Sequence, residues 1–404
     1  MTAGGRRWLW ACVAAFALGS ILLLTLVPTS DPDTGTFNWC LLCGEFGLSD
    51  FVANVILFVP AAFALRFAGV PGRKTVASLL LLSVAIEVAQ LWIPGRESTL
   101  GDIVSNTLGA AAGLGLAWWW PRRRRSALAA AAAAGSIAAV IAAIGVSLRP
   151  SLPATSYFGQ WTPDLGMYEW YRGTVVSAEL GGMALPSWRL ADSRAVREHL
   201  LAGGPLRIRA VAGPPTGDLA PLFSIFDQEQ REVLLVGPDR DDLVIHVRTR
   251  ASDALLRQPE LRWRGAMAAI TAGDSLTLEL RRTARGYCMT LNNRERCGLK
   301  PQVGEVWELL QPMPHAPQWV DATLDCVPLV LAGLLIGLLS PVRLWGYLAV
   351  GLVLASAIVL PPLVGLGGTP PLQLAALILA TVAGGFVPAP SGGAQAAVAA
   401  TLPQ

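Results

Sequence analysis

Long apolar runs occupy both ends of this chain, and a stretch of alternating apolar and polar residues lies between them. Runs of about 17–25 apolar residues are long enough to cross a bilayer as helices. Eight such runs are predicted helices: roughly 8–27, 51–68, 76–93, 103–120, 126–148, 324–340, 342–360 and 371–388. The first follows Arg6 and Arg7 and ends at Val27-Pro28-Thr29-Ser30 without an A-x-A cleavage pattern, so it reads as a retained helix. In the middle the period shortens to two. Ser275-Leu-Thr-Leu-Glu-Leu-Arg-Arg282 puts Leu276, Leu278 and Leu280 on one side and Thr277, Glu279 and Arg281 on the other. Leu206-Arg-Ile-Arg-Ala210 alternates the same way, and Leu219–Phe226, Glu232–Val236 and Asp242–Arg248 supply further strands. One short helix, about 192–202, has Asp192 as its cap and Gly203 as its stop. About seven or eight strands over 160–312 predict a two-sheet sandwich.

The charges divide in the same places. The chain has 404 residues, 53% apolar and 15% charged, against about 25% charged in an average soluble protein. Residues 151–322 hold 39 charged residues in 172, whereas the other 232 hold only 20. A purely soluble enzyme and a disordered chain are excluded. A net charge of +3 argues against a nucleic-acid partner. With the N-terminus cytoplasmic, the inner loops carry Arg6, Arg7, Arg66, Arg73, Lys74, Arg122, Arg123, Arg124, Arg125 and Arg343, and the short outer loops only Arg96 and Arg149. This bias predicts cytoplasmic termini and a sandwich outside the cytoplasmic membrane. The tetra-arginine run, preceded by Trp118, Trp119 and Trp120, reads as a topology anchor.

Cysteine placement fits an oxidising side. Asn292-Asn293 is expected to form a two-residue type I′ loop. Counting back from it sets Cys288 opposite Cys297 at a non-hydrogen-bonded pair, where a cross-strand disulfide fits. Cys40 and Cys43 share the first outer loop. Their Trp39-Cys-Leu-Leu-Cys43 order is that of thioredoxin-like enzymes, but it lacks a βαβ setting and reads as a structural disulfide. Cys12 and Cys326 read as small buried residues. No metal box is expected, since His199, His246 and His315 are scattered; Asp241 and Asp242 read as a polar turn, with a contribution to a Ca²⁺ site as the alternative.

The informative polar residues lie in the first four helices. Asp50-Phe-Val-Ala-Asn54 and Asp102-Ile-Val-Ser-Asn106 repeat a D-[FI]-V-[AS]-N start 52 positions apart, both running inward, as a parallel duplication requires. Glu87 and Gln90 share one face of the helix between them. At about 1.5 Å per residue, Glu87 sits roughly 9 Å below the outer end of its helix, Gln90 about 4–5 Å, and Asn54 and Asn106 about 6 Å below theirs. A carboxylate at such depth faces the bundle interior. The expectation is an outward-opening polar pocket of Asp50, Asn54, Glu87, Gln90, Arg96, Asp102 and Asn106, with Arg96 balancing the acids. Capping by Ser49 and Asp50 and interhelical bonding by the amides give the bland alternative.

These same residues carry a family resemblance. The two D-x3-N starts, Leu57-Phe-Val-Pro60, Glu87-x2-Gln90, Pro94-x-Arg96 and Asn106-Thr-x-Gly109-x3-Gly113 resemble the VanZ-like membrane proteins over roughly residues 20–120. Ala62 stands where that family often has Gly. The resemblance implies a bacterial envelope protein linked to resistance to the glycopeptide teicoplanin, and no settled reaction. The strand rhythm from Leu222-Phe-Ser-Ile-Phe-Asp227 to the cysteine hairpin resembles a concanavalin A-like, laminin-G-like jelly roll. Such domains often bind glycans or proteins, and no E-x-D-x-E pair on a strand points to glycan cleavage.

The expected fold is thus a multi-pass α-helical membrane protein of about eight helices with an inserted extracytoplasmic all-β concanavalin A-like sandwich. Its parts are a VanZ-like membrane domain (1–125), a fifth helix (126–148), the sandwich (149–322), and three more helices with a short cytoplasmic tail (323–404). The expected role is binding of an envelope glycan, lipid-linked precursor or envelope protein. The alternative is a membrane enzyme acting on a lipid-linked precursor, with Glu87 as acid or base and Arg96 holding an anionic group. Transport fits less well, because the polar residues gather on one side of the bilayer. The sequence names no cofactor.

Overall fold

A computed structural model describes residues 3–28, 35–166, 168–311, 317–341 and 344–387. Arg343, His315 and the tail beyond 387 lie outside the described residues.

The N-terminal block is four helices: α1 (Ala3–Leu26), α2 (Gly47–Ala68), α3 (Gly72–Gln90) and α4 (Leu100–Trp119). Two short strands, β1 (Phe37–Asn38) and β2 (Ser98–Thr99), join its two loops in parallel. α2 ends at Gly69, whose positive φ of 103° lets the next amides turn back onto the carbonyls of Arg66 and Leu65. α2 and α4 lie side by side and parallel. A Cβ on Gly109 would lie 2.3 Å from the Val55 carbonyl oxygen, and one on Gly113 2.4 Å from that of Val59. The D-x3-N helices therefore touch backbone to backbone, an approach that small residues permit.

A second block forms from α5 (Ala127–Ser147) and the later helices. Ser126 caps α5 by accepting from the Ala129 amide. The chain then enters the β region. Its elements are β3 (Tyr157–Trp161), β4 (Thr174–Leu180), β5 (Met183–Ala184), α6 (Ser193–Ala202), β6 (Leu206–Val211), β7 (Phe223–Asp227), β8 (Glu232–Asp239), β9 (Asp242–Val247), α7 (Arg250–Asp253), β10 (Leu261–Trp263), β11 (Ser275–Thr283), β12 (Gly286–Leu291) and β13 (Arg294–Leu299). A 3-10 turn, Gly304–Leu309, leads to α8 (Gln318–Leu324), α9 (Val327–Leu339), α10 (Leu344–Val364) and α11 (Pro371–Phe386). The run expected at 324–340 is interrupted at Asp325, whose carboxylate accepts from the Trp307 indole at 2.9 Å, and helix begins earlier, at Gln318.

Among the described residues four helical stretches are long and apolar enough to cross a membrane: Gly4–Leu26, Gly47–Ala68, Ala127–Ser147 and Gln318–Leu339. They turn large apolar side chains outward, among them Phe16, Leu23, Leu128 and Leu331. So much exposed apolar surface marks lipid-facing helices. The molecule is a membrane protein with a β domain. Cys12 lies on the exposed face of α1 instead of being buried.

The β domain has two antiparallel sheets, ordered β10-β9-β8-β7-β3 and β13-β12-β11-β6-β4-β5. Leu276, Leu278 and Leu280 from one and Phe223, Ile225 and Val236 from the other share a single core. The strand expected at 219–226 begins only at Phe223, with Leu219 making one isolated bridge to Asp239. Asp192 and Gly203 cap α6 as its sequence predicts. Cys288 pairs with Cys297 across the hairpin and is bonded to it, and Cys40 is bonded to Cys43. The loop is not type I′: Asn292 has φ 51°, but Asn293 is not among the residues with positive φ.

Candidate functional site

The N-terminal starts of α2 and α4 and the C-terminal end of α3 meet around Thr99. This residue caps α4, its hydroxyl accepting from the Asp102 amide at 3.0 Å. The same hydroxyl donates to Asp102 Oδ2 at 2.9 Å, and the Thr99 amide donates to Glu87 Oε2 at 2.8 Å. Asn54 Nδ2 donates to Asp102 Oδ1 at 2.5 Å. One residue thus links two carboxylates, and the repeated Asp and Asn of the two helix starts meet across the α2–α4 contact. Glu87 is buried, and among the described residues neither it nor Asp102 is paired with a cation.

The other expected residues surround this centre. Asn106 is buried beside it and donates to Ser83 Oγ of α3 at 2.9 Å. Gln90 donates to the Thr25 carbonyl at the end of α1, 3.0 Å away. Among the described residues Gln90 Oε1 and Asn106 Oδ1 are buried without a hydrogen-bond partner. Buried polar atoms are rarely left so. Above the layer, the Gly101 amide donates to the Cys40 carbonyl at 3.0 Å, which ties the Cys40–Cys43 loop over the start of α4.

Two residues stand apart. Arg96 donates to the carbonyls of Val27 and Leu24, each at 2.9 Å, and so closes the C-terminal end of α1 instead of facing the acids. Asp50 faces the β domain, where Arg257 Nη2 meets its Oδ1 at 3.0 Å. Around that pair the Leu255 carbonyl accepts from the Leu48 and Ser49 amides, and the Ser49 hydroxyl links the Arg257 amide to the Leu309 carbonyl. α2 has no side-chain cap of its own, and the β domain supplies one.

The family model described as VanZ/LLP1 matches residues 14–121. These residues carry a VanZ-like domain. No curated protein and no solved structure matches the chain. The VanZ-like domain takes in α1 from Ala14 onward, α2, α3 and α4, and so holds every residue of the polar layer.

Sequence reasoning missed the groups that organise this layer. Thr99 reads as an ordinary loop residue, Ser83 as a small helix residue, and Ser49 only as a cap of its own helix. Arg257 is distant in sequence, and no local signal points to it. Also missed is a buried charge cluster in the β domain. His246 lies between Glu232 Oε1 at 3.0 Å and Glu260 Oε1 at 3.3 Å. Arg262 spans Glu260, Asp239 and Asp242 at 2.6, 2.7 and 3.1 Å. Burial pulls the His246 pKa down, but the two carboxylates more than reverse this and raise it to about 10. Glu260 is desolvated too, yet its bonds to His246 and Arg262 hold its pKa down at about 2. Asp242 also accepts from the Gly265 amide at 2.8 Å, so it is committed to a turn and an ion pair.

Proposed function

We propose that the protein is a VanZ-like multi-pass protein of the bacterial cytoplasmic membrane, in which all eight apolar segments cross the bilayer. In this reading the termini are cytoplasmic and the β domain, a concanavalin A-like jelly roll, lies outside. The polar layer of Asn54, Glu87, Gln90, Asp102 and Asn106, with Asp50 and Arg96 bonded away from it at its rim, binds the polar head of an envelope lipid-linked precursor. The sandwich over it engages envelope glycan or an envelope protein. A contribution to glycopeptide resistance or envelope homeostasis follows from such binding.

One observation carries this reading. Two carboxylates, Glu87 and Asp102, converge on Thr99, and among the described residues no cation is bonded to either. Two further buried polar atoms beside them, Gln90 Oε1 and Asn106 Oδ1, lack partners among those residues. A site rich in acceptors and poor in donors suits a ligand that brings hydroxyl or ammonium groups. The positive-inside bias supports the orientation, and the two disulfides agree with it.

The test is a pair of changes, Glu87→Gln and Asp102→Asn, in a host scored for teicoplanin susceptibility and for its lipid-linked precursors. Altered susceptibility with unchanged lipid chemistry supports binding. Disappearance of a covalent lipid product favours the enzymatic alternative, with Glu87 as the acid or base. Wild-type behaviour of both variants would sink the assignment of this layer as the site.

A further inference from the structure

A cavity of about 320 Å³ opens where the β domain meets the ends of α5 and α10. Among the described residues its charged lining is Arg149, Arg282 and Lys300, and no carboxylate lines it. Elsewhere in the domain Arg207, Arg231, Arg248 and Arg262 are each paired with an acid. Arg149 is exposed at the mouth and Lys300 half-buried. Lys300 reaches only the Ala284 carbonyl, at 3.5 Å, and Arg282 is tied to the Leu201 carbonyl. The opposite wall is apolar: Leu148 at the end of α5, and Leu363 and Val364 at the end of α10, with Leu363 73% exposed. α5 is one of the helices long and apolar enough to span a membrane, and it ends at Ser147. The cavity therefore sits at the level where a bilayer's hydrocarbon gives way to headgroups.

A simpler role for the cations is to balance the negative ends of the two helices. The magnitudes decide against that as their whole purpose. A helix C-terminus carries about half a negative charge, so two supply about one, against three full positive charges. The excess is about two, and it faces a wall of hydrocarbon.

We propose that this cavity binds an anionic lipid through its phosphate. The phosphate lies among Arg149, Arg282 and Lys300, and an acyl chain runs down over Leu148, Leu363 and Val364. Cationic recesses beside membrane helices recognise anionic headgroups in this way. The cavity is large enough for a phosphoglycerol head. The proposal is independent of the polar layer at Thr99 and holds on whichever side of the membrane the β domain lies.

The test uses the full-length protein purified in a neutral detergent, with thermal unfolding and native mass spectrometry as readouts. Three probes are compared: a short-chain phosphatidylglycerol, the matching phosphatidylcholine, and inorganic phosphate. The expected result is saturable binding of phosphatidylglycerol, at least tenfold tighter than either of the others. The double variant Arg149→Gln, Lys300→Gln should weaken it at least tenfold, while Arg285→Gln, an exposed arginine outside the cavity, should not. Arg282 is left unchanged because it also holds the Leu201 carbonyl. If the double variant unfolds early, Leu363→Ser at the exposed lip tests the apolar wall instead and should weaken lipid binding alone. Equal binding of phosphatidylcholine would overturn the proposal. Equal binding of inorganic phosphate would reassign the cavity to a free anion and overturn the lipid. Undiminished binding by both the double variant and the Leu363 variant would place the lipid elsewhere.

Discussion

Arg257 of the β domain and Asp50 of the VanZ-like domain face each other with 3.0 Å between guanidinium and carboxylate. They lie 207 residues apart, and between them the chain builds α3, α4, α5 and most of the sandwich. The contact fastens the β domain to the first turn of the helix that carries Asn54. Arg257 also stacks over Phe46, 4.6 Å from the ring centre.

The ion pair is not the strongest part of that junction. Half-exposed pairs contribute about 0–1 kcal/mol. Ser49, fully buried, bonds both the Arg257 amide and the Leu309 carbonyl, and its loss strands two buried backbone groups at about 1–3 kcal/mol. Ser49→Ala should therefore lower the thermal midpoint more than Arg257→Ala does. Both should speed hydrogen exchange at the start of α2.

The α2–α4 contact leaves no room for a side chain. Gly109→Ala would press a methyl against the Val55 carbonyl and cost about 1–3 kcal/mol through overpacking. Gly115→Ala meets open space and should leave stability unchanged or slightly raised. Detergent-solubilised yield and thermal unfolding of the two variants provide the comparison. Equal loss for both would mean the helices are not in this register.

His246 is protonated in the folded state well above its ordinary value. Its pKa is raised from 6.5 to about 10, so the folded protein holds a proton there that the unfolded chain releases. Its contribution to stability is full below about pH 6.5 and is lost as the pH rises toward 10. Glu305 and Glu308 act in the same direction. Burial first, and then neighbouring carboxylates, raise them from 4.5 to about 7 and about 9. Their protonated forms are favoured on folding, so stability falls from about pH 4.5 upward. The thermal midpoint of the full-length protein in detergent should fall between pH 5 and pH 9. Glu308→Gln should flatten that slope.

Removing the imidazole has a larger consequence. His246→Ala leaves Glu232 and Glu260 facing each other without the cation between them, and breaking a buried pair costs about 3–5 kcal/mol. Denaturant unfolding of the variant should register that loss.

Cys297 offers a test of sidedness. It lies exposed on the edge strand β13, bonded to Cys288. After mild reduction of intact cells, a membrane-impermeant maleimide should label it if the β domain lies outside. Labelling only after the cells are opened would reverse the proposed topology. The entropic model assigns a loop this short about 2–3 kcal/mol, so the reduced domain should remain folded but melt earlier.

Period and composition determined much of this protein. Apolar runs of bilayer length mark its helices, because a segment in lipid must satisfy its backbone internally and cover itself with hydrocarbon. Alternation marks β6 and β11, since a half-buried strand shows its two faces in turn. The hairpin count from Asn292 and Asn293 pairs Cys288 with Cys297 because local register follows loop length. The repeated D-x3-N starts pointed to the polar layer, although they could not say which residue joins it. Tertiary structure decided the rest. Arg96 lies three residues from Thr99 yet spends its donors on the end of α1, since those carbonyls are nearest once the helices pack. Thr99 becomes the centre because a helix start, a strand and the α3 carboxylate converge on it. Arg257 and the cluster around His246 are fixed by which strands and loops pack together. Charges distant in the chain leave no periodic trace, and only the folded geometry brings them within reach of each other.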